Sequence, residues 1–355
     1  MLKNQSSCLS FIPGFLMKKN LSPLLFLVFL ILFSCTTSDA PEERKVPEVA
    51  VDEDTAFYLA LRNDGQLFEI GDTTGEIKTV NKIPGIDFNT VINGVTASST
   101  KLFIYEHEFD PFQAYIHVYN FSNKTSTAHK LTFAEDDFGT FAGLVSMEWD
   151  EEKKVLIGLV KENFGENYPV ASRVAHIDPV TFKVTPLEIE VEKGHIMGTL
   201  LIGNSIYASS FRTSTGSGMT EFFRIDLSNG SVTNLEVDGM TIPPIHLSQD
   251  PGSNTVFGFL PVLGSTFMGE SNPVTMNLES GAVTYLLPGE TTGTKHQFGR
   301  SFFNVDTNEH VDIITSPTYN ALFRYNSVTQ EIIITKLPNT NDLSSMISLV
   351  GVRRG

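Results

Sequence analysis

The fold of this chain is decided by residues 222–235, which read Phe-Phe-Arg-Ile-Asp-Leu-Ser-Asn-Gly-Ser-Val-Thr-Asn-Leu. Apolar and polar residues alternate before Asp226 and again after Gly230, as they do in strands that have one buried face. The pair Asn229-Gly230 supplies a tight turn that takes positive φ. The segment therefore predicts a strand, a turn and a second strand.

The same unit occurs six times along the chain. Consecutive copies, aligned on the last residue before the turn, are 48 to 58 residues apart. A β-rich repeat of about 40–50 residues is typical of propeller blades. The sequence therefore predicts an all-β, six-bladed β-propeller of four-stranded antiparallel blades, with five or seven blades as alternatives. The aligned residues are Ile70, Tyr119, Ile177, Ile225, Met276 and Tyr325.

The two ends of the repeat array complement each other. The first copy lacks an inner strand, because the chain enters it directly at residues 57–61. After the sixth copy, residues 346–352 form an apolar segment that has no partner strands of its own. We expect this C-terminal strand to become the inner strand of the first blade. It would close the ring and remove an open sheet edge.

Residues 1–34 have the composition of a targeting segment. Lys18-Lys19 precede the apolar run 24–33, which is too short to span a bilayer of roughly 30 Å as a helix. The run ends at Ser34-Cys35. Because Met17 would begin a signal peptide of ordinary length, it is an alternative start of translation.

The ending Leu32-Phe33-Ser34-Cys35 resembles the lipobox of bacterial lipoproteins. The resemblance implies cleavage before Cys35 and attachment of a diacylglyceryl group to its sulfur, which would anchor the mature chain in a membrane. The alternative is an ordinary cleaved signal peptide that happens to contain a cysteine.

Residues 35–54 are predicted to be a flexible acidic tether, because they contain prolines and acids and almost no aromatic residue. The acids that follow Cys35 resemble the export signals of surface lipoproteins in Bacteroidota. Residues 55–355 are predicted to be the propeller domain. Both cysteines, Cys8 and Cys35, precede this domain, so it contains no disulfide and no thiol.

The charge of the chain excludes some partners. The sequence contains 25 basic and 41 acidic residues, a net charge of −16. Without residues 1–34 the balance is 22 to 41, or −19. A strongly acidic body without a basic stripe predicts no nucleic-acid binding and no flat contact with an anionic membrane surface.

The connections between strands indicate a functional face. With strands a to d counted outward from the axis, the a–b and c–d connections share one face, and the b–c loops and d–a crossovers share the other. Long b–c loops are predicted at 106–114, 161–172, 211–220 and 260–272. Long loops on a rigid scaffold often carry binding residues, although their aromatic rings also fill gaps between blades. The candidate ligand-binding residues are Phe109, Phe112, Phe138, Phe141, Tyr168, His195, Phe267, His296 and Tyr319.

The sequence offers little specific chemistry. His195 and His296 are candidates for a pair that meets across the axial funnel. Asp110, Asp136 and Asp137 are candidates for a calcium site, and no other cofactor is predicted. The nucleophile elbow, the zinc-protease helix and the phosphate-binding glycine loops are absent, so no catalytic residue is predicted.

These features predict a binding protein anchored in the outer membrane of a Gram-negative bacterium, on the periplasmic or the cell-surface side. In architecture and anchoring the chain resembles propeller lipoproteins of Bacteroidota that accompany outer-membrane uptake receptors. A metal-dependent hydrolase or lactonase at the axial funnel is the alternative. An aromatic, apolar funnel without converging charges favours binding, and a cation held by several blades favours the enzyme. A scaffolding propeller, a third alternative, predicts a broad apolar patch.

Overall fold

The computed structural model describes much of the chain after the tether. The described residues are 53–86, 94–109, 111–134, 138, 141–162, 171–214, 217–242, 244–262, 270–290, 292–294, 299–316, 318–338 and 347–354. They belong to one compact unit, Asp52–Gly355. Across these ranges there is no helix long and apolar enough to cross a membrane.

The described residues form six antiparallel sheets, arranged as the predicted six-bladed propeller of four-stranded blades. The strands nearer the axis are buried along nearly their whole length, because neighbouring blades cover both faces, whereas the outermost strands are largely exposed. The strands are β1 (Ala56–Arg62), β2 (Gln66–Gly71), β3 (Ile77–Lys82), β4 (Val95–Ala97), β5 (Lys101–Phe109), β6 (Phe112–Asn120), β7 (Thr125–Lys130), β8 (Thr132–Phe133), β9 (Gly143–Asp150), β10 (Val155–Lys161), β11 (Ser172–Ile177), β12 (Lys183–Val191), β13 (His195–Ile202), β14 (Ser205–Ser214), β15 (Ser217–Asp226), β16 (Val232–Leu235), β17 (Ile245–Gln249), β18 (Thr255–Pro261), β19 (Ser271–Asn277), β20 (Val283–Tyr285), β21 (Gly293–Thr294), β22 (Phe302–Asn304), β23 (Glu309–Thr315), β24 (Asn320–Asn326), β25 (Ile332–Lys336) and β26 (Ile347–Arg354).

Five blades use four consecutive strands from the axis outward: β4–β7, β9–β12, β13–β16, β17–β20 and β22–β25. The short strand β8 adds a parallel edge to β12, and β21 pairs with β23 beside β22. Apolar clusters fill the spaces between neighbouring blades. One of them joins Phe103 of the second blade to Leu156 of the third.

The C-terminal strand closes the ring, as predicted. β26 pairs with β1 in antiparallel register from Ala56 and Arg354 to Arg62 and Ile347, so it is the inner strand of the first blade. Leu349 of β26 is buried in the apolar cluster between the sixth and first blades. The start of β1 and the end of β26 therefore lie on the same face of the propeller.

The turn between strands c and d has one conformation in all six blades. In each, the N–H of the fifth turn residue donates to the carbonyl of the first, at 2.8–3.2 Å. The fifth residue takes a positive φ of 55–74° in every blade. In five blades the first residue is Asn or Asp, whose side chain also accepts a bond from a backbone N–H two or three residues later. The fifth residues are Gly75, Lys124, Phe182, Gly230, Gly281 and Gln330.

Two of the predicted long loops are strands instead. The segments 106–114 and 211–220 belong to hairpins, in which β5 and β6 pair up to Phe109 and Phe112, and β14 and β15 pair throughout. In the first hairpin, the carboxylate of Glu106 lies 2.6 Å from Nε2 of His117. Polar residues that pair across the sheet gave this strand the composition of a loop. At the other two predicted loops, β10 ends at 161 and β18 at 261.

Gly281 should tolerate alanine much less well than Gly203, although both have positive φ. A left-handed backbone alone costs an L-residue about 1–2 kcal/mol. A Cβ on Gly281 would lie 2.1 Å from the carbonyl oxygen of Glu236, whereas a Cβ on Gly203 would meet no atom within 4 Å. We expect Gly281→Ala to lower the free energy of unfolding at least twice as much as Gly203→Ala in urea denaturation. Equal losses would contradict this packing at the c–d turn.

Candidate functional site

Arg300 lies at the centre of the ring and bonds to several blades. Its Nη1 donates to the carbonyl of Val95 at 2.7 Å, and its Nη2 donates to the carboxylate of Glu148 at 2.7 Å. Glu148 also accepts a bond of 2.6 Å from Oγ1 of Thr199. The carbonyl of Arg300 accepts the N–H of Leu349 in the closing strand, at 3.1 Å. Through these bonds, Arg300 and the buried Glu148 link the sixth, first, second, third and fourth blades.

A second polar network lies beside the axis in the fifth and sixth blades. Nε2 of His246 accepts the N–H of Gly299 at 3.0 Å, so Nδ1 is the protonated nitrogen and donates to Asp312 at 2.7 Å. Ser301 donates to the same carboxylate at 2.6 Å. His246 is 2% exposed and has a φ of 53°, next to an irregularity in the pairing of β17 and β18. The carboxylate is thus engaged by neighbours within the protein.

His310 is a packing residue of the sixth blade. Its ring stacks on Phe257 at a centroid distance of 5.2 Å and contacts Phe303 at 4.7 Å. Its Nδ1 lies 2.9 Å from the hydroxyl of Ser248. Burial lowers the pKa of His310 to about 4. The imidazole is therefore neutral at physiological pH.

An axial chamber of about 200 Å³ adjoins Arg300. Its walls come from the inner strands of five blades and are mainly aliphatic and aromatic. Thr96, one of its polar residues, already accepts the N–H of Trp149 at 3.0 Å. Besides Arg300 and Thr96, the chamber is lined by Val95, Ala97, Leu200, Leu247, Ser248, Gln249, Ser301, Phe302, Phe303, Leu349 and Val350.

A groove of about 1070 Å³ opens from this chamber onto one face of the propeller. The two cavities share Ala97, Phe302, Phe303 and Val350 in their linings and therefore adjoin. The groove runs between the first and second blades, with further contributions from the third and sixth. It includes the a–b connection at 98–100, so it lies on the face of the a–b and c–d connections. That face is opposite to the one predicted to bind.

Aromatic and aliphatic side chains form most of the groove wall. Trp149, the sole tryptophan of the sequence, is stacked on Phe103 at 5.2 Å. Its Nε1 donates to Glu151 at the rim. Val305 projects at the rim with 65% of its surface exposed. The aromatic lining residues are Tyr119, Phe121, Trp149, Phe302 and Phe303, and the aliphatic ones are Leu59, Leu67, Val80, Ala97, Val305, Val350 and Val352.

Both acids at the rim are held in ion pairs, whereas the exposed Lys124 lies outside these pairs. Arg353 makes two bonds of 2.8 Å to Glu69 and lies 4.7 Å from the ring centre of Phe57. The bonds from Arg353 lower the pKa of Glu69. Glu151 pairs with Lys154, which lowers the pKa of that carboxyl too. Both acids are therefore ionised acceptors, and neither is suited to act as a general acid near neutral pH.

The sequence-predicted ligand residues are dispersed over the structure. Phe112 and Phe141 meet edge to face at 6.2 Å, and Phe141 is 52% exposed. Phe138 was a binding candidate, with packing between blades as the alternative, and it is 1% exposed and packs against Phe133 between the second and third blades. The side chain of Phe138 therefore fills a gap between blades.

Two further candidates lie in other blades. His195 is exposed at the start of β13, where partial desolvation and the charge of Lys161 lower its pKa. Tyr319 is half-buried, with Nζ of Lys336 5.2 Å from its ring centre. Phe109 ends β5. The predicted residues that lie outside the described ones are Cys35, Asp110, Asp136, Asp137, Tyr168, Phe267 and His296.

Within the described ranges, no group of three or more His, Cys, Asp or Glu residues is arranged to hold a metal ion. The three aspartates proposed for calcium are outside those ranges, so the calcium site and the metal-dependent hydrolase remain predictions. The groove residues were missed because they come from four different blades. A usable signal was the apolar residue that opens an otherwise polar turn, as Phe121 does at 121–124 and Val305 does at 305–308.

No family model matches the sequence, and no curated protein matches it. Solved structures do match. TolB from Acinetobacter baumannii has a TM-score of 0.54 and 13% identity, over 84% of this chain and 67% of that one. A putative TolB from Agrobacterium tumefaciens has a TM-score of 0.51 and 9% identity, over 86% of this chain and 99% of that one. A chain from the nidogen/laminin complex has a TM-score of 0.52 and 10% identity, over 84% of this chain and 98% of that one. At these identities the similarity establishes the propeller fold alone.

Removing one partner of the axial ion pair should be far more damaging than removing both. Arg300→Met leaves the carboxylate of Glu148 buried without its cation, which typically costs about 3–5 kcal/mol. The double variant Arg300→Met with Glu148→Leu leaves no uncompensated charge. We expect urea denaturation to show the double variant more stable than Arg300→Met alone. If the two single losses simply add, the pair does not act as a unit.

Proposed function

We propose that this chain is a lipid-anchored binding protein of the bacterial envelope or cell surface, which captures a ligand or partner through its propeller. The observation that carries the proposal is the apolar groove that opens from the axial chamber. Binding sites are typically concave and mostly apolar, with a few placed polar groups. Aromatic side chains such as Trp149 and Phe302 are the residue types that contribute most to binding energy or burial at such sites.

The charge arrangement supports binding over chemistry at this groove. An aromatic, apolar funnel without converging charges is what the binding hypothesis predicts. The acids at the rim, Glu69 and Glu151, are each paired with a base. The carboxylate at the base of the chamber, Glu148, is bonded to Arg300 and Thr199. These groups are occupied in holding the walls together.

The anchoring part of the proposal rests on the lipobox-like ending at Cys35 and on the acidic tether that follows it. We place the protein on the outer membrane, as an accessory to an uptake receptor. The similarity to a chain from the nidogen/laminin complex supports a propeller that can assemble with another protein. The proposal assigns anchoring to the lipid and recognition to the groove.

Cys35→Ser in the full chain should abolish lipidation. We expect metabolic labelling with an alkyne-bearing palmitate analogue to mark the unmodified chain and to be lost in this variant, with a longer precursor retained because cleavage needs the lipidated cysteine. Cys8→Ser is the matched control, since Cys8 is the other cysteine of the sequence. Labelling that survives Cys35→Ser, or is lost in Cys8→Ser, would contradict lipidation at Cys35.

Val305→Asp should block an apolar probe from the groove. The probe is the dye 1-anilinonaphthalene-8-sulfonate, followed by energy transfer from Trp149. We expect Val305→Asp to weaken dye binding at least tenfold, because it places a charge in the apolar wall. Val328→Asp is the control on the same face: Val328 is 70% exposed in a c–d turn and does not line the groove. The groove is not the binding site if both variants bind the dye as the unmodified chain does.

A further inference from the structure

We infer that the occupant of the groove is an amphipathic segment, of near-neutral charge, of a protein embedded in the same membrane that holds the anchor. This inference rests on the proposed function and names the partner of the same groove. Three observations support it. The propeller domain begins beside the groove, one side of the groove is open to solvent, and the acids at the rim are in ion pairs.

The body begins at a fixed point on the groove face. Oδ1 of Asp54 accepts the N–H of Thr74 at 2.7 Å, and its Oδ2 accepts the Thr74 hydroxyl at 2.6 Å. Thr55 donates its N–H and its hydroxyl to Asp72 at 3.0 and 2.8 Å. A Cβ on residue 71 would lie 2.1 Å from the Asp54 carboxylate, so Gly71 makes room for this contact. These bonds hold the start of the propeller domain on the c–d turn of the first blade.

This starting point is next to the groove wall. Ala56 pairs with Arg354, and the preceding residue Arg353 lines the groove together with Val352. The tether, residues 36–52, spans at most roughly 60 Å when fully extended. A flexible chain of this length has a mean span of roughly 25 Å. An anchor at Cys35 would therefore limit the distance between the groove and the membrane and raise the effective concentration of any partner held there.

The open side of the groove favours an amphipathic occupant. Ser122, Lys124 and Val305 at its rim are exposed. A wholly apolar molecule such as a free acyl chain would leave one side in water. A peptide segment with one apolar face would bury that face against Trp149 and Phe302 and keep its polar face solvated.

The charge at the rim favours a neutral segment. Arg353 is matched by Glu69 and Glu151 by Lys154, which leaves Lys124 as the charged lining residue outside these pairs, so the rim offers little net charge to steer an ion. The mature chain as a whole carries −19, which disfavours an acidic segment. Binding that depends on apolar burial should therefore change little with ionic strength.

The test is photo-crosslinking in the native host, with the full lipidated chain and p-benzoylphenylalanine at position 305. Control positions on the same face are Val328 and Val180, which are 70% and 81% exposed and lie outside the groove. We expect position 305 alone to give an adduct, and peptide mapping to assign it to an amphipathic segment of an integral membrane protein. That segment, synthesised as a peptide, should quench or shift the fluorescence of Trp149.

The peptide titration supplies the second readout. We expect its Kd to change less than threefold between 0.05 and 0.5 M salt and to rise at least tenfold in Val305→Asp. The inference is overturned if position 305 gives no adduct, an adduct with lipid or a small molecule, or the same adducts as the control positions. An adduct with a small molecule would leave the proposed binding function standing. That function fails separately, if the dye does not discriminate Val305→Asp from Val328→Asp.

Discussion

The structure depends on the guanidinium of Arg300, which pairs with the buried carboxylate of Glu148 at the axis of the ring. Six inner strands converge there, and the buried polar groups among them need partners within the protein. Arg300 meets this requirement by bonding to Val95, to Glu148 and, through its own carbonyl, to Leu349. Because a buried charge is tolerated only with its partner, the inner strands must adopt one arrangement. The ion pair thus fixes the positions of the inner strands, which line the chamber and contribute to the groove.

Ring closure and the groove share their structural parts. The strand β26 completes the first blade, and its residues Val350 and Val352 form part of the groove wall. Arg353 at its end pairs with Glu69 across the same blade. The groove wall is therefore complete only when β26 has paired with β1.

Much of the fold could be predicted from the sequence, because local turn chemistry repeats in every blade. The turns that begin with Asn or Asp and end with a left-handed residue mark strands c and d, and the unpaired apolar end of the chain predicts closure. The hairpin at 106–114 was misread, because Glu106 and His117 pair inside the sheet. The sequence left both binding and packing open for Phe138, because burial depends on neighbouring blades. Trp149 and Phe302 line the same groove but are distant in sequence, so no local sequence pattern predicts the groove.

The position of the tether also has a mechanical consequence. Under the proposed anchoring at Cys35, force on the anchor would reach the body at Asp54 and Thr55 and then act along β1, which lies between β26 and β2. Hydrogen bonds of an antiparallel ladder run across the strands, so two ladders would carry this load in shear, with many bonds strained together. A pull on an outer strand would instead break its bonds one at a time. The proposed attachment through β1, the second strand of the first blade, would therefore let the propeller bear force from the membrane without losing its hydrogen bonds one at a time.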